Sequence, residues 1–307
     1  MSLASTQLVG DGGRVARVGL SGGLPPVLVR RSGSGDPGSE RVLLLHGLAN
    51  SGSVWDAYAE HGRRGGLETW VAELPWRGDS IAEWSARGDV VDFLGDALRA
   101  VPGGAGVVVA HSMAANCLLE FLNRALARGT DPFAEFGIRA LVLVSPFYRR
   151  DAGEFTWETM ASSVDGFARI MTEGIRVHSG SRLSAQAQRD LGERVRDRVG
   201  AYGWMRFFET YLATPRLRTE RFTVPCLVVA GEHDFAAPPE EGRALAADLP
   251  RAEFRLLPEC GHFLMIEQAE RFAAAVGQFV SRTPSAARPP SDAGPRPPRE
   301  HSPCPRQ

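Results

Sequence analysis

The sequence predicts an α/β fold: a mostly parallel central sheet with helices on both faces, interrupted by a helical insertion. Three observations carry this. Continuous apolar runs recur along the chain, as in Val107-Val108-Val109-Ala110, Ala140-Leu141-Val142-Leu143-Val144 and Cys226-Leu227-Val228-Val229-Ala230. They lack polar alternation, as expected of parallel strands buried on both faces. Helical patterns fall between them, as crossovers between parallel strands require. The rhythm then breaks over residues 147–220, where no buried strand is evident.

In chain order, residues 26–30 read as a strand, and 41–47 as a stronger one ending in a glycine turn. A helix is predicted over 54–61 and a strand over 69–73. Asp89 suits the N-cap of a helix running through Val91, Phe93, Leu94 and Leu98. Strand 106–110 is followed at once by a helix over 113–127, and strands follow at 140–144, 226–230 and 254–257. Between them, 166–175, 184–199 and 204–212 carry helical patterns. One body over 14–282 with a helical cap over 147–220 is the economical reading. An independent helical domain would leave the flanking strands short of partners. Residues 1–13 read as loose. Residues 283–307 hold 8 of the 21 prolines and almost no large apolar residue, so a disordered tail is predicted.

Composition narrows the function. Hydrophobic residues make up 43% of the 307 and charged residues 23%, ordinary for a globular protein. No run approaches the roughly 18 apolar residues needed to span a bilayer. Residues 1–7 lack the basic and apolar regions of a secretory signal, so a cytoplasmic location is expected. All 35 basic residues are Arg, against 36 acidic ones, a formal net charge of -1. The 283–307 segment carries four Arg against two acids, which leaves the body near -3. So weak a field suits a small-molecule substrate better than a nucleic acid. Cys117, Cys226, Cys260 and Cys304 form no CxxC pair and no HExxH occurs. No metal and no cofactor are therefore expected.

The chemistry concentrates at Ala110-His111-Ser112-Met113-Ala114. A buried strand runs into a serine, and a helix starts directly after it. Such a turn lifts a hydroxyl out of the sheet and aims helix N-terminal amides at an oxyanion. Small residues are needed two positions before and after, where strand and helix backbones crowd. A serine needs a base at neutral pH. Gly261-His262-Phe263, just after strand 254–257, presents one. Gly231-Glu232-His233-Asp234, after strand 226–230, supplies a carboxylate. The order is Ser112, Asp234, His262.

With these motifs in place, residues 15–282 resemble an α/β-hydrolase fold protein with a helical cap. The resemblance implies Ser112 as nucleophile, Asp234 as acid and His262 as base. His46-Gly47 matches the family's oxyanion loop, which implies the Leu48 and Met113 amides as oxyanion donors. Two departures stand out. Ala110 and Ala114 replace the usual elbow glycines. Pro75-Trp76-Arg77-Gly78 replaces Pro-Gly-x-Gly, so Trp76 is expected to shape the substrate pocket with His46, His111 and Phe147. His46 is expected to support its loop more than to catalyse, and His111 either to line the pocket or to stand behind the residues that do. Serine at the nucleophile position argues against dehalogenase and epoxide hydrolase chemistry, which use Asp. Aromatic residues of the cap, among them Phe167, Trp204 and Phe207, predict an apolar pocket roof. Four readings stay open: an ester, lactone or thioester hydrolase; a carbon–carbon hydrolase or perhydrolase with the same triad; an acyltransferase; and a catalytically silent binding protein.

Overall fold

The computed structural model describes residues 5–9, 13–18, 27–32, 39–77, 84–85 and 88–283. Its strands are β1 (Ser5–Val9), β2 (Gly13–Val18), β3 (Val27–Arg31), β4 (Arg41–Leu45), β5 (Glu68–Glu73), β6 (Val107–His111), β7 (Ala140–Val144), β8 (Cys226–Gly231) and β9 (Ala252–Leu257). They form one sheet in the order β1-β2-β3-β5-β4-β6-β7-β8-β9. Pairings from β1 through β3 to β5 are antiparallel, and those from β5 through β4 to β9 are parallel.

The sheet starts at Ser5, not at residue 14. The register Ser5↔Arg17 to Val9↔Gly13 makes a hairpin of a segment expected to be loose. Antiparallel edge strands need bury only one face, so they lack the continuous apolar runs that mark the central strands. The predicted tail, from residue 284 on, lies outside the described residues, as do Gly78 and Cys304.

The helices that cover the sheet are α1 (Asp56–Arg64), α2 (Asp92–Ala100), α3 (Met113–Ala127), α4 (Trp157–Ser179), α5 (Ala185–Leu212), α6 (Pro239–Asp248) and α7 (Ala269–Arg282). Successive strand residues feed opposite cores. Leu43, Leu45, Val108 and Ala110 pack with Phe93, Leu118 and Leu245 from α2, α3 and α6. Val42, Leu44, Val107 and Val109 pack with Tyr58, Phe272 and Val276 from α1 and α7. Each Val, Leu and Phe among them contributes about 1.5–3 kcal/mol of burial. This two-faced burial is why the central strands read as unbroken apolar runs. The N-cap of α2 is Val91, which makes no side-chain cap, and not Asp89 as expected; Asp89 instead closes the turn before the helix, its carboxylate accepting the Val91 N–H at 3.0 Å and its carbonyl the Asp92 N–H at 3.1 Å.

The crossover from β7 to β8 carries α4 and α5, both longer than the sequence patterns indicated. The Thr156 and Ser184 side chains cap them, accepting the Thr159 and Ala187 amides. The break predicted between 199 and 204 is Gly200, at φ 64° and ψ 177°. The two helices approach closely at Gly192, where an added Cβ would sit 2.7 Å from the Thr172 backbone N and Cα. Among the described residues no helix is long and apolar enough to cross a membrane.

Gly104, in the turn before β6, has φ +80°, and a Cβ there would fall 2.3 Å from the Phe136 carbonyl oxygen. Gly104→Ala combines left-handed strain with a backbone clash. It should lower stability by about 2–4 kcal/mol, read as a reduced midpoint in urea unfolding.

Candidate active site

The site lies at the carboxyl ends of β4, β6 and β8 and in the loop after β9. Ser112 follows β6 directly and sits at φ 56° and ψ -127°, a region that costs a non-glycine residue on the order of 1–3 kcal/mol. Its neighbours hold it there. Its N–H donates to Val144 O at 2.9 Å, extending the β6–β7 ladder, and its carbonyl accepts the Ala115 N–H at 2.8 Å as α3 begins. Ala110 and Ala114 are fully buried, so the elbow accommodates one methyl on each side.

The loop after β4 passes in contact with this turn. A Cβ on Gly47 would lie 2.9 Å from Ser112 Cβ and 3.1 Å from His111 Nδ1, so only glycine fits unshifted. The chain then reverses: Ala49 has φ 59°, its N–H donates to Trp76 O at 2.9 Å, and Asn50 N–H donates to Gly47 O at 3.3 Å. Leu48, between them, borders the same cavity as Ser112. Met113 opens α3, and its N–H is one of the four amides a helix leaves without an intrahelical acceptor.

The structure brings Ser112, His262 and Asp234 together. His262 Nδ1 lies 2.8 Å from Asp234 Oδ2, and His262 Nε2 lies 2.9 Å from Ser112 Oγ. All three are buried. With Nδ1–H donating to the carboxylate, Nε2 is left to accept the serine hydroxyl. The other carboxylate oxygen, Oδ1, accepts the Ala236 and Ala237 amides at 3.0 and 2.9 Å. The acid and histidine loops are sewn together by His233 N–H to Cys260 O at 2.9 Å. A Cβ on Gly231 would fall 2.2 Å from Gly261 O, so glycine permits this approach. His233 itself is exposed.

Two supporting residues escaped the sequence reading. Glu267 brackets the histidine: its carboxylate accepts the Gly261 N–H at 3.2 Å and the Phe263 N–H at 3.1 Å, the amides on either side of His262. Asn116, one turn into α3, clamps Phe147, donating to its carbonyl at 2.8 Å and accepting its N–H at 3.1 Å. An acid five residues after Gly-His and an Asn four after the elbow serine are the signals that could have pointed to them.

Three of the four expected pocket residues are corrected. His46, Trp76 and His111 are fully buried behind the cavity wall, where they hold backbone. His46 Nδ1–H donates to Gly47 O and its Nε2 accepts the Leu74 N–H, both at 2.9 Å. Trp76 Nε1–H donates to His46 O at 3.0 Å, and its ring packs edge-on against Trp84 and Phe93. His111 Nε2–H donates to His262 O at 2.9 Å. These rings are drawn inward by apolar area and by polar edges that satisfy loop carbonyls. Burial lowers the His46 pKa to about 4 and pushes that of His111 well below its ordinary value.

Phe147 does face the cavity, its ring 6.0 Å from that of His262. The cavity measures about 350 Å³, and Phe167, Ile170, Met171, Val195 and Phe207 of α4 and α5 complete its apolar wall. Trp204 borders an adjoining cavity rather than this one. Of the other aromatic residues between β7 and β8, Tyr148, Phe208 and Tyr211 pack inside, whereas Trp157 and Tyr202 are 85% and 75% exposed. Among the described residues no His, Cys, Asp and Glu cluster is arranged to hold a metal ion.

A strained serine on a strand-to-helix turn, coupled through histidine to a buried carboxylate, defines the class of protein. The chain belongs to the alpha/beta hydrolase family, whose model matches residues 42–275. It is similar to a 2-hydroxy-6-oxononadienedioate/2-hydroxy-6-oxononatrienedioate hydrolase of Burkholderia vietnamiensis, 25% identical over 276 residues that cover 80% of this chain and 88% of the relative. Solved structures share the fold at lower identity. A thermophilic esterase of Thermogutta terrifontis is 20% identical with a TM-score of 0.58, covering 92% of this chain and 98% of its own. A bromoperoxidase of Bacillus anthracis is 18% identical with a TM-score of 0.63, covering 84% and 96%.

Two predictions follow from this geometry. Glu267→Gln can accept only one of the two bracketing amides, so kcat should fall by about tenfold or more with KM little changed, provided turnover depends on His262 placement. A matched fall in kcat and rise in KM would contradict a positioning role. The second concerns pH. His46 and His111 are neutral when folded but titrate near pH 6.5 when unfolded, so the unfolded chain binds more protons below that pH. The stability this contributes is complete above about pH 6.5 and is lost as pH falls towards the lowered folded value of about 4. Urea unfolding should weaken over that window, by up to about 1.4 kcal/mol per pH unit for each histidine. His46→Gln should be less stable at neutral pH but show a shallower slope.

Proposed function

We propose that the protein is a serine hydrolase that cleaves an ester-type bond (carboxylic ester, lactone or thioester) of a small, largely hydrophobic substrate through an acyl-enzyme on Ser112. The observation that carries this is the unbroken chain Asp234–His262–Ser112, opening into an apolar cavity. In this reading His262 takes the Ser112 proton as the oxygen attacks the carbonyl carbon. Asp234 fixes the imidazole tautomer and stabilises its protonated form. The Leu48 and Met113 amides receive the tetrahedral oxyanion. His262 then protonates the leaving group, and water, activated by the same imidazole, releases the acid and regenerates Ser112. Residues 147–220 act as a cap whose apolar face binds the substrate chain and excludes water.

A second reading has one observation behind it. The Burkholderia vietnamiensis relative is named for a substrate with a ketone and no ester, whose hydrolysis breaks a carbon–carbon bond. The same three side chains serve that reaction, with the ketone in place of the ester carbonyl.

Ser112→Ala should keep the far-ultraviolet circular dichroism of the parent and lose at least about 10³-fold in turnover of an activated ester. Retention of parental turnover would overturn the assignment. Cleavage of a 2-hydroxy-6-oxo-dienoate, whose departing carbon leaves as a conjugated enol, without ester hydrolysis would select the second reading.

A further inference from the structure

One helix meets both of the loops that carry the acid and the base. On α4, Phe167, Ile170, Met171, Gly174, Ile175 and His178 line the cavity. Their spacing of three and four residues makes a single helical stripe. Arg169, Glu173 and Arg176 follow the same spacing on a neighbouring face, and they meet the loops after β8 and β9. We propose that α4 is a strap across these two loops and that Arg176 is a positioning residue for His262, acting through Glu267. This rests on the serine hydrolase reading.

The first contact is at the acid loop. The Arg169 guanidinium carbon lies 3.6 Å from the centre of the Phe235 ring, and Phe235 directly follows Asp234. A cation over an aromatic face is attracted to it.

The second is at the histidine loop. Phe263 directly follows His262 and is seated on α4. A Cβ on Gly174 would lie 3.2 Å from Phe263 Cζ, so the ring packs against the helix backbone. The His178 ring meets Phe263 edge-on at 6.3 Å, and its Nδ1–H donates to Gly174 O at 2.7 Å.

The third is ionic. Arg176 Nη2 lies 3.6 Å from Glu267 Oε2, the oxygen that accepts the Gly261 N–H. The guanidinium is oriented for this from its own helix: its Nε–H and Nη2–H donate to the Glu173 carboxylate at 2.8 and 2.6 Å. A planar fork already held by one carboxylate gives up little more freedom on meeting a second. Its charge also stands between two carboxylates that are only 20% and 15% exposed. Without it Glu173 and Glu267 face one another with weak solvent screening, and their repulsion displaces Glu267 from the amides on either side of His262.

Arg176 does not line the cavity, so its effect falls on catalytic geometry and not on substrate affinity. Its side chain is half-exposed, and an ion pair of that kind adds little to stability.

The test measures kcat and KM for an activated ester, and the urea midpoint, on the parent, Arg176→Gln, Arg176→Lys, Glu267→Gln and the double variant Arg176→Gln/Glu267→Gln. The inference predicts that Arg176→Gln lowers kcat by about threefold or more, leaves KM within about twofold and keeps the parental urea midpoint. Arg176→Lys should recover most of the loss, because it returns a positive charge to the gap between the carboxylates. In the Glu267→Gln background, Arg176→Gln should have no further effect on kcat. An unchanged kcat in Arg176→Gln, a rise in KM in its place, or losses that multiply in the double variant would overturn the assignment and leave the hydrolase reading intact. So would a loss that comes with a lower urea midpoint and that lysine does not recover, as a merely structural contact requires. If the parent neither turns over the ester nor is labelled at Ser112 by a fluorophosphonate, the hydrolase reading fails and this inference with it.

Discussion

Ser112 is held at φ 56° and ψ -127° by a ladder bond to Val144 on one side and the first turn of α3 on the other, and the surrounding structure is arranged around that turn. A non-glycine residue stays in such a conformation only where its neighbours over-determine it. Here the neighbours are a fully buried strand, an equally buried helix start, and a loop that touches the turn through a residue without a side chain, Gly47. The strain has a geometric consequence. It points the hydroxyl away from the sheet, towards His262, while keeping the first amide of α3 beside it.

The remaining contacts extend that constraint outward in shells. His262 is fixed at both ring nitrogens, at its own carbonyl by His111, and at the two flanking amides by Glu267. Asp234 is fixed by two amides of its own loop, and Gly231 lets the acid and histidine loops approach. His46 and Trp76 do for the β4 loop what Glu267 does for the histidine loop. Their polar edges take up backbone groups, and their rings fill core volume. The helices between β7 and β8 then complete the cavity, supplying most of its apolar wall together with His178.

Much of this was legible in the sequence, for physical reasons that differ by element. The central strands and α3 were readable to within two residues because burial on both faces leaves an unbroken apolar run. Ser112 and Asp234 were readable because each follows such a run, so strand ends marked their positions, whereas His262 was read from its Gly-His-Phe context after the edge strand β9. The β1–β2 hairpin was missed because an edge strand carries no comparable signal. His46, Trp76 and His111 were misplaced for a related reason. Sequence puts a residue beside the site but does not say whether its side chain faces the cavity or turns back into the core. That choice is made by packing, as the edge-on contacts of Trp76 with Trp84 and Phe93 illustrate. Glu267 and Asn116 act on backbone amides and carbonyls, and such roles have no residue pattern of their own.

The central claim is that the Asp234–His262–Ser112 chain delivers a nucleophile to a carbonyl held in the cavity. It is tested most directly by mixing the protein with an activated ester, quenching in acid within the first turnover, and mapping the adduct by peptide mass spectrometry. The account predicts one acyl group per chain, carried on the peptide that contains Ser112. An acyl group on another residue, or turnover with no covalent adduct at any quench time, would contradict it.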